Sequence, residues 1–188
     1  IMRMTPNKLP SVLLIAGFGV CFSVFSNTSH AALKINEFLA ANDSINQDPQ
    51  GDYDDWIEIY NSGQNTISLD GLYLSDDLSD PTQWAFPSGL SLNAGGYLLV
   101  WADKDTSDNP SGIHSAFKLS SGGEEIGLFA SDGVTLLDSI AFDAQIDDIS
   151  YGRFPDGSHH WYPMDSPSPH SANLAAMSET VYFSKLGG

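Results

Sequence analysis

Apolar and polar residues alternate in short runs along most of this chain, a pattern typical of half-buried β-strands. Leu33–Leu39 alternates in this way, and Tyr97–Trp101 is apolar on both faces, which predicts a central strand covered on both sides. Further strand-like runs lie at residues 56–60, 72–74, 84–86, 126–129, 135–142 and 149–154, and turn-forming residues separate them. The pattern predicts an all-β fold, an antiparallel β-sandwich, with a closed barrel as the alternative.

Alternation also predicts which residues of the second run face the core. Within Trp56–Tyr60, residues 57 and 59 lie on the face opposite to that of residues 56, 58 and 60, so we expect Ile57 and Ile59 to point inward.

Arg153 is one of the few basic residues in an acidic chain. We therefore expect Arg153 to form a structural ion pair with a carboxylate.

The first 31 residues have the pattern of a secretory signal peptide. Arg3 and Lys8 precede an apolar run, Ser11–Phe25, and small residues at Ser29–Ala31 provide a cleavage site. The alternative is a single membrane anchor, but the run is 15 residues long and a spanning helix needs about 20. We expect a signal-peptide helix cleaved after residue 31 and a protein that is secreted to the extracellular space or periplasm and associated with the cell surface. The only cysteine, Cys21, would be lost with the peptide, which excludes disulfides and cysteine nucleophiles.

Charge excludes two classes of partner. The chain has 24 acidic and 7 basic residues and a net charge of -17. Nucleic acids and anionic lipid surfaces both require a cationic face, which this chain cannot assemble. We therefore expect no nucleic-acid partner and no membrane contact after signal cleavage.

Several motifs, in this order, resemble the lamin tail domain family in its bacterial, secreted form. They are Ile35–Ala40, Asp54–Asn61, Leu69–Asp76, Trp84–Pro87, Leu92–Ala102, Phe117–Glu124, Ser150–Gly157 and Pro167–Pro169. The resemblance extends over residues 33–174 and implies an immunoglobulin-like sandwich without catalytic machinery.

The C-terminal residues carry a second resemblance. Val181–Gly188 is similar to the first strand of a chitobiase-type immunoglobulin-like module, as found in proteins that contain CotH-type kinase domains. We expect a signal peptide at residues 1–31, a lamin-tail-like domain at 32–174, and a linker with the first strand of a following domain at 175–188. This organisation predicts an accessory domain next to a downstream domain.

Enzyme motifs are missing from the sequence. It contains no Gly-x-Ser-x-Gly elbow, no His-Glu-x-x-His and no phosphate-binding glycine loop. The one histidine pair, His159–His160, is expected in a solvated loop tip. We predict a protein that is not an enzyme and needs no cofactor, with calcium as the one candidate ion.

Calcium is a candidate because carboxylate oxygens are abundant in two turns. The candidate ligands in the first turn are Asp43, Asp48, Asp52, Asp54 and Asp55. A second cluster consists of Asp103, Asp105, Asp108 and Asn109. A solvated acidic surface is the preferred interpretation of these clusters, and calcium binding is the alternative.

Two classes of function follow. The first is a non-catalytic structural or protein-interaction module whose partner is a protein or a cell-surface component. The alternative is a carbohydrate-binding or calcium-dependent adhesion module. Sugar binding would require an exposed platform of aromatic rings, drawn from Trp56, Tyr60, Trp84, Trp101 and Trp161.

Overall fold

Short alternating runs form the strands because each run can bury its apolar side chains on one face of a sheet. The computed structural model describes residues 32–105 and 111–174. Their strands are β1 Leu33–Leu39, β2 Trp56–Asn61, β3 Ile67–Ser68, β4 Tyr73–Ser75, β5 Trp84–Ala85, β6 Ser91–Leu92, β7 Tyr97–Trp101, β8 Gly123–Phe129, β9 Leu136–Asp143, β10 Ser150–Arg153 and β11 Trp161–Met164. The predicted signal peptide and the segment 175–188 lie outside the described residues.

Two antiparallel sheets enclose the apolar core. One has five strands in the order β11-β10-β1-β2-β7, the other has four in the order β5-β4-β8-β9, and β3 pairs with β6. Ile57 and Ile59 of the first sheet meet Leu74 and Ile126 of the second in this core. Burial of each such side chain stabilises the fold by about 1.5–3 kcal/mol. The prediction of an all-β, immunoglobulin-like sandwich is confirmed, as is the inward position of Ile57 and Ile59.

A β-bulge in β1 changes the faces of its side chains halfway along the strand. The register between β1 and β2 shifts between Ile35 and Glu37, so Asn36 is the extra residue. Ile35 and Phe38, three positions apart, therefore both lie in the core. Glu37 then lies on the outer face, where it pairs across the strands with Glu58 of β2.

The predicted position of β7 is wrong. Its two apolar faces indicated a central strand, but β7 lies at one edge of the five-stranded sheet. Leu99 and Trp101 pack on the outer face in a second apolar cluster with Leu39 and Trp56. The apolar outer face of β7 is therefore explained by this cluster and does not require a strand on each side.

Three strands were not predicted from the sequence. β3 and β6 have two residues each, which is too short for any period to show. β11 contains Pro163 and lies at the other edge of the five-stranded sheet. Proline is tolerated in edge strands because its missing N–H can lie on the unpaired side.

Candidate functional site

The two acidic turns predicted from the sequence meet at one end of the five-stranded sheet. Because β2 and β7 are adjacent and antiparallel, the segment before β2 lies next to the segment after β7. Together they form an open cavity of about 440 Å³, called here the acidic pocket. It is lined by Asp48, Gln50, Asp52, Tyr53, Asp54, Asp103, Asp105 and Lys118. Asp108 and Asn109 of the second predicted cluster lie outside the described residues.

Three of the five predicted calcium ligands come together in this pocket. Carboxylate oxygens of these three lie within 4.8 Å of one another: Asp48, Asp52 and Asp54. The other two have separate roles. The Asp43 N–H donates to Asp148 at 2.8 Å, and the Asp55 carboxylate accepts the N–H of Asn42 at 3.1 Å. Burial raises the pKa of Asp55 to about 6. Calcium binding stays a prediction.

Asp48 is held in place by its own turn. It is 7% exposed, and its Oδ1 accepts the backbone N–H groups of Gln50 at 2.9 Å and of Gly51 and Asp52 at 2.8 Å. Gly51 has a φ of 97°, a conformation that residues with side chains rarely adopt. The local sequence thus sets the position of this carboxylate at the acidic pocket.

His114, which the sequence analysis did not single out, lies beside the pocket and hydrogen-bonds one of its carboxylates. Its Nε2 lies 2.8 Å from the carbonyl oxygen of Ser111, and its Nδ1 lies 2.5 Å from Asp103 Oδ2. Both partners accept hydrogen bonds, so an imidazolium that donates at both nitrogens fits this geometry. Burial lowers the pKa of His114, but the Ser111 carbonyl and the Asp103 carboxylate outweigh burial and raise it above its ordinary value. In its protonated form, His114 would offset part of the negative charge.

The acidic pocket nevertheless concentrates negative charge. The pKa of Asp54 is raised by burial and then by the charge of Asp103. Lys118 opposes this effect, with its Nζ 3.9 Å from Asp54 Oδ1. Because the carboxylates outnumber the cations, the pocket attracts positively charged groups.

A second cavity, called here the apolar groove, runs along the edge of β7. It has a volume of about 420 Å³ and its lining includes Leu98, Leu99, Trp101, Ile113, Pro49 and His170. Leu98 and Leu99 point to opposite faces of the sheet, so a cavity that contacts both lies along the strand edge itself. Asp48 lines both cavities, so the apolar groove and the acidic pocket adjoin at this residue.

A buried polar network occupies the outer face of β1 and β2. Glu37 and Glu58 are each 0% exposed. Burial raises the pKa of both, and that of Glu58 reaches about 8 with a further contribution from the charge of Glu37. Asp156 adds a third carboxylate, which accepts a hydrogen bond from the Tyr97 hydroxyl at 2.5 Å. The carboxylates of Glu37, Glu58 and Asp156 form hydrogen bonds within the sandwich and do not line either cavity.

The segment that follows β11 is held over this network by hydrogen bonds. Ser168 donates through its hydroxyl to Glu37 at 3.0 Å, and the His170 N–H donates to Glu58 at 2.6 Å. Asn173 donates through its side-chain amide to the carbonyl oxygen of Arg153 at 2.8 Å. The segment therefore covers carboxylates that would otherwise be solvated.

The aromatic residues do not form an exposed platform. Trp56 and Trp101 are buried, and Tyr60, Trp84 and Trp161 are half-buried. Trp161 stacks on Tyr151 at 5.7 Å and lies 4.5 Å from the guanidinium of Arg153. This arrangement counts against sugar binding by these five rings.

Two predictions about basic residues are confirmed. Arg153 is buried and pairs with Asp138 at 3.0 Å, and it also donates to the carbonyl oxygen of Ile35 at 2.7 Å. His159 and His160 are exposed in a turn. Arg153 therefore has a structural position, and His159 and His160 have solvated ones, although arginine and histidine serve in catalysis in other proteins.

The fold and the site define a class: an immunoglobulin-like β-sandwich with a buried carboxylate network on one outer face and an acidic pocket at one end of the five-stranded sheet. The chain belongs to the lamin tail domain family, because the family model for the lamin tail domain matches residues 26–151. Domains of this family are non-catalytic and immunoglobulin-like. No curated protein matches the chain. Within residues 32–105 and 111–174, no helix is long and apolar enough to cross a membrane.

Proposed function

We propose that this chain is a non-catalytic structural and protein-interaction module of an exported bacterial protein, placed next to a downstream domain. Membership of the lamin tail domain family is the observation that carries the proposal. The proposed organisation is a signal peptide at residues 1–31, the sandwich domain at 32–174 and the beginning of a following domain at 175–188. The location would be extracellular or periplasmic, at the cell surface.

The use of the buried acids supports a structural role. Glu37 and Glu58 would qualify as catalytic acids by their raised pKa values. Both, however, accept hydrogen bonds from the segment that covers them, through Ser168 and His170. A carboxylate enclosed in this way holds the fold together and has no path to a substrate.

Two measurements on the native gene product test the proposal. An antibody to the sandwich domain captures the protein from the bacterial envelope and medium, and mass spectrometry gives its intact mass and N-terminus. We expect an N-terminus at Ala32 and a mass far above that of residues 32–188. Retention of residues 1–31 would overturn export by signal cleavage, and a mass equal to that of residues 32–188 would overturn the accessory role.

Cross-linking in intact cells tests the interaction role. Cross-links from surface residues of the sandwich to a second polypeptide, mapped by mass spectrometry, are the expected result. If cross-links form only within the chain, the protein-interaction role is contradicted.

A further inference from the structure

The hydrogen bonds of β7 are satisfied along the side that faces β2 and only in part along the other side. The Asn61 N–H donates to the Gly96 carbonyl at 3.0 Å, and the Ala102 N–H donates to the Asp55 carbonyl at 2.8 Å. Backbone groups of successive residues point to opposite sides of an antiparallel strand. Even-numbered residues of this stretch therefore bond to β2, and the N–H and C=O groups of odd-numbered residues point away from the sheet.

One of these three outward residues has a partner. The Trp101 N–H donates to the Ile113 carbonyl at 2.8 Å, and its carbonyl accepts the Ser115 N–H at 2.7 Å. The outward groups of Tyr97 and Leu99 have no backbone partner within residues 32–105 and 111–174. Backbone N–H and C=O groups in folded proteins are nearly always paired with protein or water. An added strand beside β7, in line with residues 113–115, would pair them.

The sequence of β7 does not protect this edge. Natural edge strands avoid unwanted pairing through Lys, Pro, bulges or inward charges. β7 reads Tyr-Leu-Leu-Val-Trp, without any of these features, and pairs with β2 in an unbroken register. The apolar groove lies along the same edge and provides room for the side chains of an added strand.

Charge identifies the added strand. The acidic pocket lies beyond the Trp101 end of β7 and adjoins the apolar groove at Asp48, which lines both cavities. Because Ile113 and Ser115 already occupy the edge beside Trp101, a peptide that pairs with Tyr97 and Leu99 would leave the edge there and direct its next side chains past Asp48 toward Asp52 and Asp54. Lysine and arginine complement this pocket, whereas acidic side chains are repelled. A second copy of this chain, with its net charge of -17, is disfavoured for the same reason.

We propose that the open edge of β7 binds an extended peptide of a partner protein by β-strand addition, with apolar side chains in the groove and a basic end in the acidic pocket. Main-chain hydrogen bonds supply affinity in this mode, and the pockets supply specificity. The inference rests on the proposed interaction function and names the chemistry of the partner.

A synthetic peptide tests this proposal on the full exported protein. The probe TVTVTVKRK has alternating strand-forming residues and a basic end, and KRKTVTVTV presents the same composition in the opposite direction. Binding of at least one of them is expected, because either strand direction can pair with an edge. TPTPTPKRK keeps the charge but cannot pair as a strand, and TVTVTVEEE reverses the charge. If neither basic strand peptide binds, or if the proline peptide binds equally well, the proposal is overturned.

Amide hydrogen exchange locates the binding. Saturating probe should slow exchange at the Tyr97 and Leu99 N–H groups by about tenfold or more. The Val100 N–H, already bonded to β2, is the internal control and should not change. Protection elsewhere without protection of Leu99 would exclude strand addition at this edge.

A charge reversal with a matched control tests the acidic pocket. Asp52 is exposed and lines the pocket, so Asp52→Lys should weaken binding of the basic probe about tenfold. Asp80 is equally exposed, on the loop between β4 and β5 of the other sheet, and Asp80→Lys should leave binding within about twofold. Equal losses in both variants would overturn the proposed pocket. If cross-links to a partner in cells persist in Asp52→Lys at the wild-type level, this edge is excluded while the interaction function stands.

Discussion

Replacing Glu58 with glutamine should remove a large pH dependence from the stability of the protein. The Glu58 carboxylate is 0% exposed and accepts hydrogen bonds from the Asn36 amide at 3.3 Å and the His170 N–H at 2.6 Å. Burial, and next the charge of Glu37, raise its pKa from 4.5 to about 8. Asp156 contributes further repulsion. The folded state thus holds a proton at pH values where the unfolded chain has lost it.

The sign and the size follow from this pKa shift. A raised pKa gives stability that is fully present below pH 4.5 and is lost as the pH rises to about 8. One pKa unit corresponds to about 1.4 kcal/mol, so the total is on the order of 5 kcal/mol. Glu58→Gln cannot ionise. Relative to wild type, the variant should therefore gain about 1.4 kcal/mol of unfolding free energy per pH unit between pH 5 and pH 8.

Urea unfolding followed by tryptophan fluorescence, repeated across this pH range, measures the difference. Asp80→Asn removes one negative charge from an exposed position and should follow the wild-type pH profile within about 0.5 kcal/mol. Parallel profiles for wild type and Glu58→Gln would refute the argument, because Glu58 would then ionise equally in both states.

Three further predictions concern other parts of the sandwich. Arg153→Met leaves Asp138 without its buried partner and should lower the free energy of unfolding in urea by about 3–5 kcal/mol. A double variant that also carries Asp138→Asn should recover part of this loss, and no recovery would argue against the ion pair. Gly152→Ala places a Cβ 2.7 Å from the side-chain nitrogen of Asn173. The side-chain amide hydrogens of Asn173 should therefore exchange faster with solvent, and an unchanged exchange rate would contradict this close contact. If the acidic pocket binds calcium, millimolar calcium should raise the melting temperature of wild type more than that of Asp52→Asn; identical melting in calcium and in chelator would disprove the site.

The buried network also explains why β1 contains a bulge. A regular strand would place Ile35 and Phe38 on opposite faces, but both lie in the core. The extra residue, Asn36, binds Glu58 and Asp156 through its side-chain amide and accepts the Gly157 N–H at 2.9 Å. One irregularity therefore completes the core and anchors the polar network.

Much of the strand content could be predicted because alternation is a local property. Residues 33–39 and 97–101 were predicted with the bounds that the structure has, and Ile57 and Ile59 were assigned correctly to the core. Two-residue strands such as β3 carry too few positions to show a period. The bulge had a signal that the sequence analysis missed, because Asn36 and Glu37 are two polar residues in succession where strict alternation would place an apolar residue at position 37.

The candidate site was predicted only in part, since its residues are distant in sequence. The acidic turns were visible as clusters, but their union in one pocket depends on the pairing of β2 with β7. His114 carried no motif that would distinguish it from other histidines. The number of charged residues could not reveal the contact between His114 and Asp103, because this contact forms only when segment 111–115 returns to the end of β7 in the fold.

The sequence by itself determined the all-β class, the positions of the longer strands and the strongly negative charge, because all three follow from local pattern and composition. The tertiary structure alone decided that β7 lies at an edge, that the acidic turns meet and that Glu37 and Glu58 are buried. Glu37, for example, is covered by Ser168, 131 positions further along the chain. Such contacts depend on strand order and on chain segments that pack together only in the folded protein, and no local pattern encodes them.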